Sequence, residues 1–228
     1  MCSFFSAIIK KNGDMVEYSE YTDSHEDLIS AAKLRDDGVG QDFVRIKLLP
    51  PDKLKGIEDV KNWEFKVDQS DTPNWWNDLV EKSEAKVRRR VKRMLIIDEE
   101  RDILVGGCHI LINSKINNFI GGRIAWLLGE STIKDVRGNA TIKDVRDNAT
   151  INNVRGNATI NDVMGNATIN NVRGNATIKN VWGNATIKNV WDNATIKNVR
   201  DNATINDVRG NATIKNVRGN ATINNDQR

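Results

Sequence analysis

From Ser131 to the last residue the chain repeats one nine-residue phrase: STIKDVRGN, ATIKDVRDN, ATINNVRGN, ATINDVMGN, and so on to ATINNDQR. Ile recurs every ninth residue from Ile133 to Ile223, and Val follows three places later from Val136 to Val217. A unit this short cannot bury its own apolar side chains, so copies must stack on one another. Within Ala185–Asn193 the first place is small, the second Thr, the third Ile, the sixth Val and the ninth Asn. Nine residues is not a whole number of helical turns of about 3.6 residues, and Thr, Ile and Val favour strands over helix. The phrase therefore predicts a short strand, then a corner at Gly-Asn or Asp-Asn, residues that tolerate positive φ.

The size of a rung follows from geometry. One nonapeptide has a perimeter of roughly 30 Å, too small to enclose two sheets about 10 Å apart. Two nonapeptides, 18 residues, make a two-faced rung, with successive rungs about 4.8 Å apart. The ten full copies then form five rungs, roughly 24 Å of parallel β-solenoid (β-helix). Ala, Ile and Val point inward, and the ninth-place Asn residues are expected to form a ladder at the corner. The pattern resembles pentapeptide-repeat solenoids, in which a small residue sits two before a central aliphatic; the period differs, so their square cross-section is not implied. Calcium-binding nonapeptides need paired glycines and a fixed Asp, which this phrase lacks.

The stack is expected to begin before its regular copies. Leu104–Ile110 aligns with VRGNATI of the repeat, which puts Cys108 at the alanine place and Ile110 at the isoleucine place. Ile116 with Phe119 and Ile124 with Leu127 form two more degenerate units. The expected division is a head at 1–102 and a solenoid at 103–228, degenerate over 103–130 and regular over 131–228. Asp226 replaces the last valine and closes the apolar ladder with a polar rung.

The head reads as α+β. Phe4–Ile9 and Met15–Tyr18 are strands about a two-residue Asn12-Gly13 turn. Asp23-Ser24 opens a helix with Leu28, Ile29 and Ala32 on one face. Phe43–Leu48 is a strand stopped by Pro50-Pro51, and Trp63–Val67 is another. Thr72-Pro73 starts a long helix with a stripe of Trp76, Leu79/Val80, Val87, Val91 and Met94/Leu95. Its run Arg88-Arg89-Arg90-Val91-Lys92-Arg93 reads as a solvated face, with Glu84 paired to Arg88.

The segments MCSFFSAI, TDSHEDL, FVRI…PP, WEFKVD…TPNWW and GGCHI resemble those of uncharacterised phage and bacterial proteins that also end in nonapeptide arrays. The resemblance covers most of the chain. It implies a phage or mobile-element origin and carries no activity, cofactor or site residue.

Composition narrows the function classes. Residues 131–228 hold 14 Lys+Arg against 8 Asp, a net +6, whereas residues 1–130 hold 20 against 23 acids, a net −3. A basic half raises nucleic acid or another polyanion as a partner, against the plainer reading of a solvated mixed-charge surface. Two cysteines are too few for a disulfide scaffold, and no apolar run spans a bilayer. Without a recognisable signal peptide the chain is expected in the cytoplasm. Asn-Ala-Thr, a formal glycosylation sequon, recurs from Asn139 to Asn220 and is read as architecture.

Cys2, exposed by removal of Met1, is the one candidate catalytic nucleophile, of the amidotransferase type, although Ser3 stands where that family has Gly. Cys108 and His109 are strand neighbours facing opposite ways, so neither a dyad nor a metal site is expected. No cofactor is called for.

The seventh place is the candidate binding surface. Alternate copies share a face: Arg137, Arg155, Arg173, Trp191 and Arg209 on one, Arg146, Met164, Trp182, Arg200 and Arg218 on the other. Guanidinium groups about 5 Å apart repel by roughly 1 kcal/mol per pair in water. A row that tolerates this can hold a polyanion, with Trp stacking on a base or sugar; nearby Asp135, Asp144, Asp147, Asp162, Asp192, Asp201 and Asp207 are expected to neutralise much of it. The reading is a non-enzymatic binding or scaffolding protein. Protein, self-association and nucleic acid are the partner classes left open, and membrane is not among them. Polyanion binding along the Arg/Lys rows and an enzyme using Cys2 are the alternatives.

Overall fold

The structure is a computed structural model and describes residues 5–17, 24–35 and 42–228. Cys2, Phe4, Tyr18 and Asp23 lie outside the described residues. The chain divides into two units, residues 1–94 and 95–228.

In the first unit β1 (Phe5–Lys10), β2 (Met15–Glu17), β3 (Phe43–Leu49) and β4 (Glu64–Val67) form an antiparallel sheet ordered β2-β1-β3-β4. The β1–β2 connection, Lys11 to Asp14, has four residues, not two. Lys10 exchanges backbone bonds with Asp14 and Gly13, and only Gly13 takes a positive φ, of 82°. The Asn12 side chain accepts from the Asp14 N–H and so holds the wider turn. Helix α1 (His25–Ala31) is capped by Ser24 and buries Leu28 and Ile29 against Ile8 and Phe43.

His25 is buried between Ile46 O at 3.0 Å and Asp68 Oδ2 at 3.1 Å. Burial pushes the Asp68 carboxyl up, but Lys47 Nζ at 2.5 Å and His25 outweigh it and hold the group below its ordinary value.

The long helix expected from Pro73 starts later. A 3-10 turn spans Asn74–Asp78, and α2 runs from Val80 to Lys92. The Leu79 N–H bonds to Trp76 O three residues back, which tightens this segment into a 3-10 turn while Trp76 is buried. Arg88 pairs with Glu84 at 2.7 Å and donates to Val60 O and Trp63 O, and Arg90 pairs with Glu17. Two of the five basic side chains of the run are thus tied into the head.

The second unit is a parallel β-solenoid of 18-residue rungs. Its irregular strands are β5 (Leu95–Ile97), β6 (Glu100–Val105), β7 (Cys108–Ile112), β8 (Lys115–Ile120) and β9 (Arg123–Leu128). The regular copies supply β10 (Thr132–Arg137), β11 (Thr141–Val145), β12 (Thr150–Val154), β13 (Thr159–Val163), β14 (Thr168–Val172) and β15 (Thr177–Val181). They continue through β16 (Thr186–Val190), β17 (Thr195–Val199), β18 (Thr204–Arg209), β19 (Thr213–Ile214) and β20 (Thr222–Gln227). Even strands from β6 to β20 form one eight-stranded sheet and odd strands from β5 to β19 the other. Thr pairs with Thr and Ile with Ile eighteen residues on, as in Thr132 with Thr150 and Ile133 with Ile151.

The core is a file of identical layers. Ala140 to Ala203, Ile133 to Ile205 and Val136 to Val208 are fully buried, and Ser131 and Ser114 take the small place at the lower end. Rungs are tied at three repeating points. Thr N–H bonds to the small-residue carbonyl below, seventh-place N–H to the valine carbonyl, and ninth-place Asn N–H to the corner carbonyl. The eighth place has positive φ throughout, 57–61° in Asp147, Asp192 and Asp201 and 68–71° in the glycines of the regular copies. The three Asp residues each accept the N–H of a glycine one rung below, Gly129, Gly174 and Gly183, at 3.0–3.1 Å. An αL corner satisfied in this way is why Gly and Asp interchange there.

Two expectations need correction. The solenoid begins at Leu95, not residue 103: α2 stops at Arg93, and Leu95, Ile96 and Ile97 pair with Ile110, Leu111 and Ile112. Leu95 belongs to that strand and not to the helix stripe. Secondly, a bulge between His109 and Ile110 shifts the register. Cys108 pairs with Arg123 at the threonine place, His109 with Ile124 at the isoleucine place, and Leu111 with Leu127 at the valine place. Ile110 pairs with Trp126, outside the inward columns.

The expected ladder of ninth-place Asn residues is present, and a stronger one lies at the fifth place. Ninth-place amides do stack, but at 3.3–3.5 Å and exposed, as in Asn166 to Asn148 and Asn184 to Asn166. Fifth-place amides stack at 2.8–3.1 Å and are half-buried: Asn171 to Asn153, Asn189 to Asn171, Asn198 to Asn180. Most also donate to the fourth-place carbonyl one rung below, as Asn171 does to Asn152 O. That second bond fixes the ladder's direction, every Nδ2 aimed toward the N-terminal rungs. Asp can only accept, so Asp162 and Asp207 receive Asn180 and Asn225. Replacing Asn171 by Ala removes two donated bonds and the acceptor used by Asn189. The expected cost is about 2 kcal/mol, against about 0.5 kcal/mol for Asn184→Ala, both read from urea unfolding.

Candidate interaction surface

Seventh-place residues follow directly after the buried valine, so each is carried outward on its own sheet with its N–H fixed to the rung below. Alternate copies share a face. Arg137, Arg155, Arg173, Trp191 and Arg209 flank the even-strand sheet. Arg146, Met164, Trp182, Arg200 and Arg218 flank the odd-strand sheet. The rows are not uniformly open. Arg200, Arg209 and Arg218 are exposed, whereas the lower members and both Trp residues are half-buried. Nε1 of Trp182 and of Trp191 is buried with no hydrogen-bond partner. The Arg200 guanidinium lies over the Trp182 ring, 5.1 Å from its centroid.

Of the seventh-place arginines, the paired ones are in the lower rungs. Arg146 pairs with Asp144 at 2.7 Å and Arg155 with Asp135 at 3.4 Å. Asp144 is buried, at 3 % exposure, and also accepts from Trp126 Nε1 at 3.0 Å. Burial lowers the affinity of the nearby Arg123 guanidinium for its proton, with Asp144 opposing. The other five acids are otherwise engaged, Asp147, Asp192 and Asp201 by corner N–H groups and Asp162 and Asp207 by ladder amides.

The fourth place adds a feature that the seventh does not show by itself. On the odd-strand sheet it reads Lys143, Asn161, Lys179, Lys197, Lys215; on the even-strand sheet it reads Lys134, Asn152, Asn170, Lys188, Asn206, Asn224. Lysine is concentrated on one face. From β15 upward that face carries Lys179, Lys197, Lys215, Arg200 and Arg218, all exposed, against Asp201 alone. Over the same height the other face sets Lys188, Arg209 and Arg228 against Asp192, Asp207 and Asp226. The signal is present in the sequence, but only when alternate copies are read at two places together.

The head has its own cleft, of about 430 Å³, between the turn at Val60–Asn62 and α2, lined by Val60, Lys61, Arg88, Arg89 and Lys92 among others. Sequence periodicity gave no sign of it, because it joins segments almost thirty residues apart (Val60 and Arg88 are bonded across it). Among the described residues no group of three or more His, Cys, Asp or Glu is placed to hold a metal ion, and no helix is long and apolar enough to cross a membrane. No protein-family model, curated protein or solved structure matches the chain.

Proposed function

We propose that this chain is a non-enzymatic binding or scaffolding protein of the cytoplasm, of phage or mobile-element origin, that works through the outer faces of its solenoid. One observation carries the reading: variation between copies is segregated from the frame. Places one, three and six, all inward, hold Ala/Ser, Ile and Val in every regular copy until Asp226, while places four, five, seven and eight change from copy to copy. A frame that tolerates different outward residues at places four and seven is suited to presenting side chains at fixed intervals of about 4.8 Å. The two sheets present different sets, so a partner is expected to use one face.

The test is site-specific photo-crosslinking in cells. The crosslinking amino acid is placed singly at Arg173, Trp191 and Arg209 on one face, at Trp182, Arg200 and Arg218 on the other, and at Lys61 in the head. The reading expects adducts from the positions of one face and not from the other. Adducts from Lys61 alone, or none from either face, would remove it.

A further inference from the structure

We propose that the odd-strand face over β15, β17 and β19 binds single-stranded nucleic acid. The proposal rests on the reading of the solenoid faces as binding surfaces and names the partner of one of them. The five exposed cations there, Lys179, Lys197, Lys215, Arg200 and Arg218, form two columns, and none is ion-paired. The single carboxylate beside them, Asp201, is held by the Gly183 N–H at 3.1 Å.

Between the columns lies a neutral strip. Asn198 donates to Asn180 at 2.8 Å and Asn216 to Asn198 at 3.0 Å. In the lower rungs of the same sheet that strip is anionic, Asp144 and Asp162, and Arg146, two residues after Asp144, is paired with it. The stack therefore accepts carboxylate or amide at the fifth place and Lys or Asn at the fourth. Folding does not require the uncompensated cations of the upper rungs. Positive charge at a spacing of about 4.8 Å, five cations against one carboxylate, is complementary to a linear chain bearing one negative charge per unit.

Nucleic acid is favoured over other polyanions by the Arg200–Trp182 pair. The Arg200 guanidinium sits over the Trp182 indole, 5.1 Å from its centroid, and Arg200 is exposed. Base faces stack on aromatic rings and on arginine planes. A duplex keeps its base faces inside the stack and cannot use such a platform, so an unpaired strand is the form that fits.

The experiment measures binding of a fluorescein-labelled dT20 oligonucleotide to the full chain by anisotropy between 50 and 200 mM salt. Neutralising three to five phosphates gives an expected slope of log K against log salt of about −2 to −3.5. The triple variant K179Q/K197Q/K215Q should weaken binding at least tenfold and flatten the slope by about 2. Arg200→Gln should weaken dT20 more than it weakens an abasic oligonucleotide of equal length. The even-face variant K134Q/K188Q should leave affinity within twofold. Circular dichroism of each variant should match the parent, since all these cations are exposed or on outward places.

No binding at 50 mM salt would overturn the proposal, as would equal loss in the even-face variant. Tighter binding of duplex DNA or heparin than of dT20 at matched charge would overturn the choice of partner. Absence of dT20 binding together with one-face adducts in the crosslinking experiment would sink this inference and leave the display reading standing.

Discussion

Ile169→Ala is expected to destabilise the solenoid by about 2–5 kcal/mol and to uncouple its upper rungs from its lower ones. Ile169 is fully buried in the middle of the stack, between Ile151 below and Ile187 above in the same sheet. Each copy contributes only three inward side chains, so the truncation removes a large part of one layer's apolar contact. The neighbouring layers are pinned by their own backbone bonds and cannot close the gap. Stability in a stack of this kind is a sum of nearest-neighbour terms, so a weakened interface divides the cooperative unit. Hydrogen exchange should show amides of β16 to β20 opening before those of β8 to β12, where the parent protects both alike. Ile169→Val, which keeps the branch and most of the volume, should cost about 1 kcal/mol and leave exchange uniform. Uniform exchange in Ile169→Ala would mean that the columns do not couple the rungs.

Gly122→Ala should be nearly as damaging, and its neighbour Gly121→Ala much less so. Both have positive φ, 74° and 66°. A Cβ on Gly122 would lie 2.4 Å from the carbonyl carbon of Gly106 and 2.6 Å from its Cα and O, which are backbone atoms of the adjoining corner. A Cβ on Gly121 meets nothing within 4 Å. Gly121→Ala therefore carries only the left-handed penalty, about 1–2 kcal/mol. Gly122→Ala adds a collision between two backbones, for an expected total of about 3–4 kcal/mol. Denaturant midpoints of the two variants, measured side by side, decide the point. Equal midpoints would contradict the tight corner.

The regular part of the fold was legible because its signal is redundant. Every copy repeats the same Ala, Ile and Val, and only a rung of two copies has room for them. The entry to the solenoid was not. Leu95-Ile96-Ile97 continues the apolar stripe of α2 and fits helix or strand equally by pattern. The bulge at His109/Ile110 could not be placed from residue types, because lower strands are 15 to 17 residues apart instead of 18, as Cys108 to Arg123, Leu111 to Leu127 and Lys115 to Thr132 show. The fifth-place ladder was hidden by the exchange of Asn with Asp. That exchange looks like drift in sequence, yet both residues supply the one acceptor that the amide above requires. At the surface, alternation assigned each seventh-place residue to its face. It did not distinguish the arginines that are paired, Arg146 and Arg155, from those that are open.

The most direct test of the 18-residue rung is a pair of double-cysteine variants in a chain carrying Cys2→Ala and Cys108→Ala. Thr168 and Thr186 are partners in adjacent strands of one sheet, about 4.8 Å apart, within the range a disulfide spans. Thr168 and Thr177 lie on opposite sheets about 10 Å apart, with side chains facing away from each other. Mild oxidation of T168C/T186C is expected to give a rapid intramolecular disulfide by mass spectrometry, and T168C/T177C none. A disulfide in T168C/T177C and not in T168C/T186C would make each nonapeptide its own rung and contradict the two-faced solenoid.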